Sequence, residues 1–167
     1  MKTDELFKQA FEDHQRNRIA AAKAGYEEVL KCDPHHPSAL HLKGLIAFDA
    51  GDIEAALDLV EQSIRLAGTN RQWLLNYGKI LSRAGKLEEA IGVYYQVQAL
   101  APDCVEAKTA LADLYGTVGE HHISLLWLFR LLSDDPENGD SAAKYVNTLR
   151  TMGWDDVAAE FLVTFQV

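Results

Sequence analysis

Two adjacent histidine pairs, His35–His36 and His121–His122, are the residues whose type could hold a metal ion, and two acidic groupings could in principle do acid–base work. Neighbouring histidines project in different directions, and both pairs fall where turns are expected, so neither converges on one ion. Asp134, Asp135 and Glu137 flank Pro136 and read as a solvated acidic connection, while Asp155 and Asp156 open a helix, where negative charge suits the macrodipole. Cys32 and Cys104 stand 72 positions apart with no CxxC, which fits two reduced, packed thiols better than a disulfide framework or a zinc knuckle. There is no phosphate-cradling glycine loop, HExxH or GxSxG, and no strand pattern to support one. Catalysis needs a converged, partly desolvated constellation, and none is written here. The expectation is a protein that is not an enzyme and has no metal and no cofactor.

The chain that must position any functional residue has 167 residues, 48% apolar and 25% charged, values of a water-soluble globular protein. At this size a compact fold hides about 68–70% of its unfolded surface without needing staples. Sixteen Lys and Arg against 25 Asp and Glu give a net charge of −9, which disfavours nucleic acid and anionic membranes as partners. Charges break the N-terminal stretch MKTDELFKQAFEDHQRNR before an export signal can form. The most apolar window, 123–132, is too short to span a bilayer and contains Arg130. A cytoplasmic protein is expected.

Periodicity sets the architecture. Gly51, Gly85, Gly119 and Gly153 recur every 34 residues, as do the small residues Ala22, Ala56, Ala90, Ser124 and Ala158. Tyr26, Val60, Tyr94, Leu128 and Leu162 form a large apolar column, and Pro34, Pro102 and Pro136 another, with Gly68 in the missing slot. The blocks are 3–36, 37–70, 71–104, 105–138 and 139–167 within one domain, 1–167. Apolar spacing inside each block is helical twice over, as in Leu74, Tyr77, Gly78 and Leu81, then Leu87, Ala90, Ile91, Tyr94 and Val97. The glycine between the two patterns caps the first helix with positive φ and turns the chain. Asn17 stands in that slot in the first block. Each block is thus an antiparallel helical hairpin, and stacked hairpins must share a core because one alone cannot bury its apolar face.

These columns resemble the tetratricopeptide repeat family, whose 34-residue unit carries W-x-x-L-G-x-x-Y, A-x-x-x-F and P. The third block is the nearest, with Leu74, Tyr77, Gly78, Leu81, Ala90, Tyr94 and Pro102, and the second is close behind. Blocks one and five depart, with Gln9 and Asp13 for apolar motif residues and Ala142 for the aromatic. The resemblance implies an all-α fold, a right-handed α-solenoid of antiparallel hairpins, whose first helices line a concave groove for a partner polypeptide. The implied function is a protein-interaction module or adaptor.

Helical phase places Phe7, Phe11 and His14 in that groove from block one and His41, Leu45 and Phe48 from block two. Asn76, Lys79 and Arg83 follow, then Thr109, Asp113 and Thr117, then Lys144, Asn147 and Arg150. The groove is expected to be apolar at its N-terminal end and basic from its middle onward, suiting a ligand with an apolar anchor and an acidic segment. Arg83 can hold a carboxylate bidentately, and Asn76 can bond a peptide backbone. Relatives that clamp the C-terminal carboxylates of heat-shock chaperones use Lys and Asn on the first hairpin, where Phe7 and Phe11 stand.

A second surface comes from HHISLLWLFRLL, in which Leu126, Trp127 and Phe129 are apolar beyond what the core needs and Tyr95 lies in phase with Phe129. With Phe161 and Phe165 of the final segment they form a candidate self-association patch, consistent with a homodimer. Alternatively Phe161, Phe165 and Val167 fold back onto Trp154, or the natural chain continues past Val167. Two other functions are open at this stage. PHHPSALHLKGLIAFDAGDIEAALDLVEQSI is similar to repeats preceding the catalytic domain of bacterial protein glycosyltransferases, where it would recruit substrate. Length and repeat type also resemble small acidic secretion chaperones.

Overall fold

The computed structural model describes residues 2–165, without the Phe165 side chain. Among the described residues the chain is all-α. Its helices are α1 (Lys2–Gln15), α2 (Ile19–Cys32), α3 (Pro37–Asp49), α4 (Ile53–Ala67), α5 (Arg71–Arg83), α6 (Leu87–Leu100), α7 (Val105–Thr117), α8 (His121–Asp134), α9 (Gly139–Thr151) and α10 (Asp155–Phe165). Helices begin where a polar side chain caps free backbone amides: Asp52 accepts from the Ala55 N–H, Asn70 from Trp73 and Asn138 from Ser141. At α3, His36 does the same for Ala39, and Pro37 follows it in the first turn.

All five turns inside the repeats close with the same pair of hydrogen bonds. Gly51 donates to the Phe48 carbonyl and Asp52 to Ala47; Gly119 donates to Gly116 and Glu120 to Tyr115. That is a Schellman motif, whose turn residue must be left-handed. The four turn glycines have φ between 75° and 85°, and Asn17 takes φ 58° in the turn of the first repeat. A methyl on Gly119 would meet nothing within 4 Å, so Gly119→Ala isolates the backbone cost and should destabilise by about 1–2 kcal/mol. Asn17→Gly should gain a few tenths of a kcal/mol. Urea denaturation of both variants measures the pair.

The chain falls into two units, Met1–Lys86 and Leu87–Val167. In the first, Ala10, Ala22, Tyr26, Val29, Ala39 and Ile46 make one buried cluster, so the first hairpin shares its core with α3. Ala56, Val60 and Ile80 make the next, joining α4 to α5. In the second unit, Leu125, Val146, Leu149 and Ala158 join α8 to the last hairpin. The small column is buried throughout, and its one polar member, Ser124, donates a 2.8 Å hydrogen bond to the Ala112 carbonyl across α7 and α8. The large column is buried at Tyr26, Val60, Tyr94 and Leu128. No helix among the described residues is long and apolar enough to cross a membrane.

The two units differ in charge. Up to Lys86, twelve Lys and Arg face twelve Asp and Glu; from Leu87 onward four face thirteen. The net −9 therefore resides entirely in the second unit.

Candidate functional site

The first helices carry one column, repeating every 34 residues, that stands open: Phe11, Lys79, Asp113 and Asn147 are exposed, and Leu45 is half-buried. In the first unit Phe7 is half-buried, stacked on Phe11 with ring centres 6.2 Å apart and on His36 at 4.8 Å. His14 shares a 3.2 Å hydrogen bond with the Tyr26 hydroxyl, whose ionisation burial pushes up to about 12. Leu45 and Phe48 pack partly against the Ala56, Val60 and Ile80 core, which leaves Phe11 as the exposed aromatic of this face.

His41 corrects the sequence expectation. It is only 3% exposed, stacked on Trp73 with centroids 4.4 Å apart and planes 9° from parallel. Ser63 donates its proton to the Val60 carbonyl at 2.7 Å, so it accepts from His41 Nδ1 at 3.4 Å, and Asn76 Nδ2 donates to His41 Nε2 at 3.1 Å. Burial depresses the histidine to about 4, so a neutral ring organises these groups. The physical reason is phase: His41 shares its repeat position with Phe7 and Leu75, one residue and about 100° round the helix from the position of Asn76 and Lys144. The buried ring in turn fixes the Asn76 amide.

Lys79 and Arg83 are exposed and make no ion pair or hydrogen bond among the described residues. In the second unit, Asp113 and Thr117 of α7 and Lys144 and Asn147 of α9 border an open cleft of about 430 Å³ floored by Ala112, Gly116, Ser124 and Leu128. Lys144 lies 3.0 Å from Asp113 and 3.4 Å from Asp140. Partial desolvation pulls its pKa down, but the two carboxylates outweigh this and raise it. The expected basic character therefore fails in this unit: Lys144 is neutralised by its neighbours. Arg150 is exposed and half-buried Thr109 is nearby in sequence, yet neither borders the cleft. The hydroxyls of Thr117 and Thr148 donate to the carbonyls of Asp113 and Lys144, turning acceptor lone pairs outward.

On the second helices Tyr95, Leu126 and Phe129 are exposed, as expected. Trp127 is not: it is 5% exposed, edge-on to Tyr95 at 5.8 Å and covered by the Arg130 guanidinium at 4.6 Å. Phe161 is also drawn inward, 4.8 Å from Tyr145 beside Leu125, Val146 and Leu149. Trp154 meets His122 instead. The Phe165 side chain and Val167 lie outside the described residues. Sequence reasoning gave no sign of the ion pair between buried Lys108 and Asp134, nor of Ser63 and Trp73 as partners of His41. No group of three His, Cys, Asp or Glu among the described residues could hold a metal ion.

Two family models, both described as tetratricopeptide repeat, match residues 12–71 and 47–114 and together span more than half of the chain. No curated protein matches it. Among solved structures, a crystal structure of MamA is similar with a TM-score of 0.88 at 19% identity, covering 98% of this chain and 89% of that one. MamA of Desulfovibrio magneticus RS-1 gives 0.87 at 17% identity, covering 99% and 93%. YrrB, described as a TPR protein with an unusual peptide-binding site, gives 0.85 at 18% identity, covering 96% and 82%.

Proposed function

Because the chain belongs to the tetratricopeptide repeat family, a fold that serves as a protein-interaction module, we propose that it is a non-enzymatic adaptor holding a partner polypeptide on its first-helix faces. The reading takes 1–167 as one binding domain working in the cytoplasm. The observation that carries it is the pair of exposed, unpartnered cations Lys79 and Arg83 beside an Asn76 amide already oriented by His41. Long basic side chains left unpaired in a chain of net charge −9 favour an acidic segment of the partner. Such a segment belongs on the first unit, which has no net charge, and is repelled by the second. Phe11 supplies the apolar anchor, and the peptide binding named for YrrB supports this class of ligand.

Rigid helices lose little entropy on binding, so affinity should follow charge and shape at these side chains. Fluorescence anisotropy with labelled acidic, neutral and basic peptides of equal length tests this. Acidic peptides should bind tightest, and Arg83→Glu should weaken them about tenfold or more without changing the fold by circular dichroism. Phe11→Ala and Phe48→Ala should weaken all peptides. Affinity unchanged in Arg83→Glu and in both aromatic variants would remove this face from consideration.

A further inference from the structure

The second unit's outer face carries an apolar ridge, and the first unit contains a cleft of matching character. On α8, Leu126 and Phe129 are 62% and 57% exposed and lie three residues apart on one helix face, with Arg130 beside them. The repeat position of Phe129 is held by Glu27 and Glu61 in the first unit and by Tyr95 and exposed Val163 in the second, so the ridge is confined to the second unit. In the first unit, α2, α3 and α4 border a half-open cleft of about 620 Å³, within the size range of pockets that accept a ligand. Its wall includes the apolar Ala20, Ile46, Ala47 and Leu59, with three carboxylates and two lysines beside them.

We infer that the α8 ridge of one copy of this chain docks in the α2–α4 cleft of another. Charge selects this pairing. Two second units face to face bring −9 against −9, whereas the first unit has twelve charges of each sign and offers no net repulsion. Arg130 is the one Lys or Arg on α8, and in the wall of the cleft Glu27, Asp52 and Asp58 outnumber Lys23 and Lys43. The contact is heterologous, ridge to cleft, so each copy keeps one of each and association can proceed beyond a pair. Two anchors and one cation bury less than a standard interface, so association should be weak and grow with protein concentration.

Sedimentation of the intact chain over a concentration series reads this. The wild type should move above 18.6 kDa as concentration rises. A ridge variant, Leu126→Gln with Phe129→Gln, and a cleft variant, Ala20→Arg, change exposed positions and should each remain monomeric. Mixed one to one, they should form a heterodimer that grows no further, because one intact ridge and one intact cleft remain. A wild type that stays at monomer mass overturns the inference. So does a cleft variant that associates like the wild type, which would mean ridge-on-ridge pairing, or a mixture that stays monomeric.

Discussion

Gly25→Ala should destabilise the first hairpin by about 2 kcal/mol, and adding Ala10→Gly should restore most of the loss. A Cβ at Gly25 would sit 2.6 Å from the Cβ of Ala10 and 3.2 Å from its Cα. No flexible side chain can move aside, so α1 and α2 must part, and overpacking of this kind costs roughly 1–3 kcal/mol. Helix propensity works the other way, since alanine is favoured over glycine inside a helix by about 1 kcal/mol. In the double variant the methyl passes from α1 to α2, so the Cβ–Cβ clash and the propensity change cancel and only the 3.2 Å approach to the Cα of residue 10 remains. Gly44→Ala is a milder control, because its closest contact is a side-chain methyl of Val60 at 2.7 Å, while the nearest backbone atom, the Val60 nitrogen, lies at an ordinary 3.4 Å. Urea melts of the four proteins settle the cycle. A double variant no more stable than Gly25→Ala alone would mean that the Ala10 contact is not what limits the approach.

The repeat made most of the fold legible from residue types alone, because each turn, close approach and core position is written five times. Asn17 in a glycine slot shows why: the turn demands positive φ, and asparagine is among the few other residues that tolerate it. The open face of the first helices was legible where one column could be followed through all repeats, as with Phe11, Leu45, Lys79, Asp113 and Asn147. It failed where residue type was judged one block at a time. Gly25, Leu59, Val93, Trp127 and Phe161 share a repeat position, none of them charged, and following that column would have placed Trp127 and Phe161 at the seam. The neutralisation of Lys144 depends on Asp113, thirty-one residues away on another helix, which periodicity along one helix does not report.

His41 should make the protein acid-labile above the range where its carboxylates titrate. In the unfolded chain the imidazole protonates near 6.5, whereas burial holds it to about 4 in the folded one. Between those values the unfolded state binds the extra proton, so stability rises with pH across this window. The histidine's contribution is fully present above about 6.5 and falls away as pH drops towards 4. The gap corresponds to roughly 3 kcal/mol, a large share of the stability of a small domain. Protonation also turns Nε2 from acceptor to donor against the Asn76 amide, so in the folded protein the group that orients the proposed peptide-binding face loses its hold near pH 4, at the lower end of this window. His41→Gln keeps a polar partner for Ser63 and Asn76 but cannot titrate. Urea unfolding at pH 7.5, 6.0 and 5.0 should give a falling free energy for the wild type and a much flatter one for His41→Gln. The imidazole resonance of His41 should show a midpoint near 4 by NMR. Parallel stability curves for the two proteins, or a midpoint near 6.5, would show that the buried ring is not held neutral by the fold.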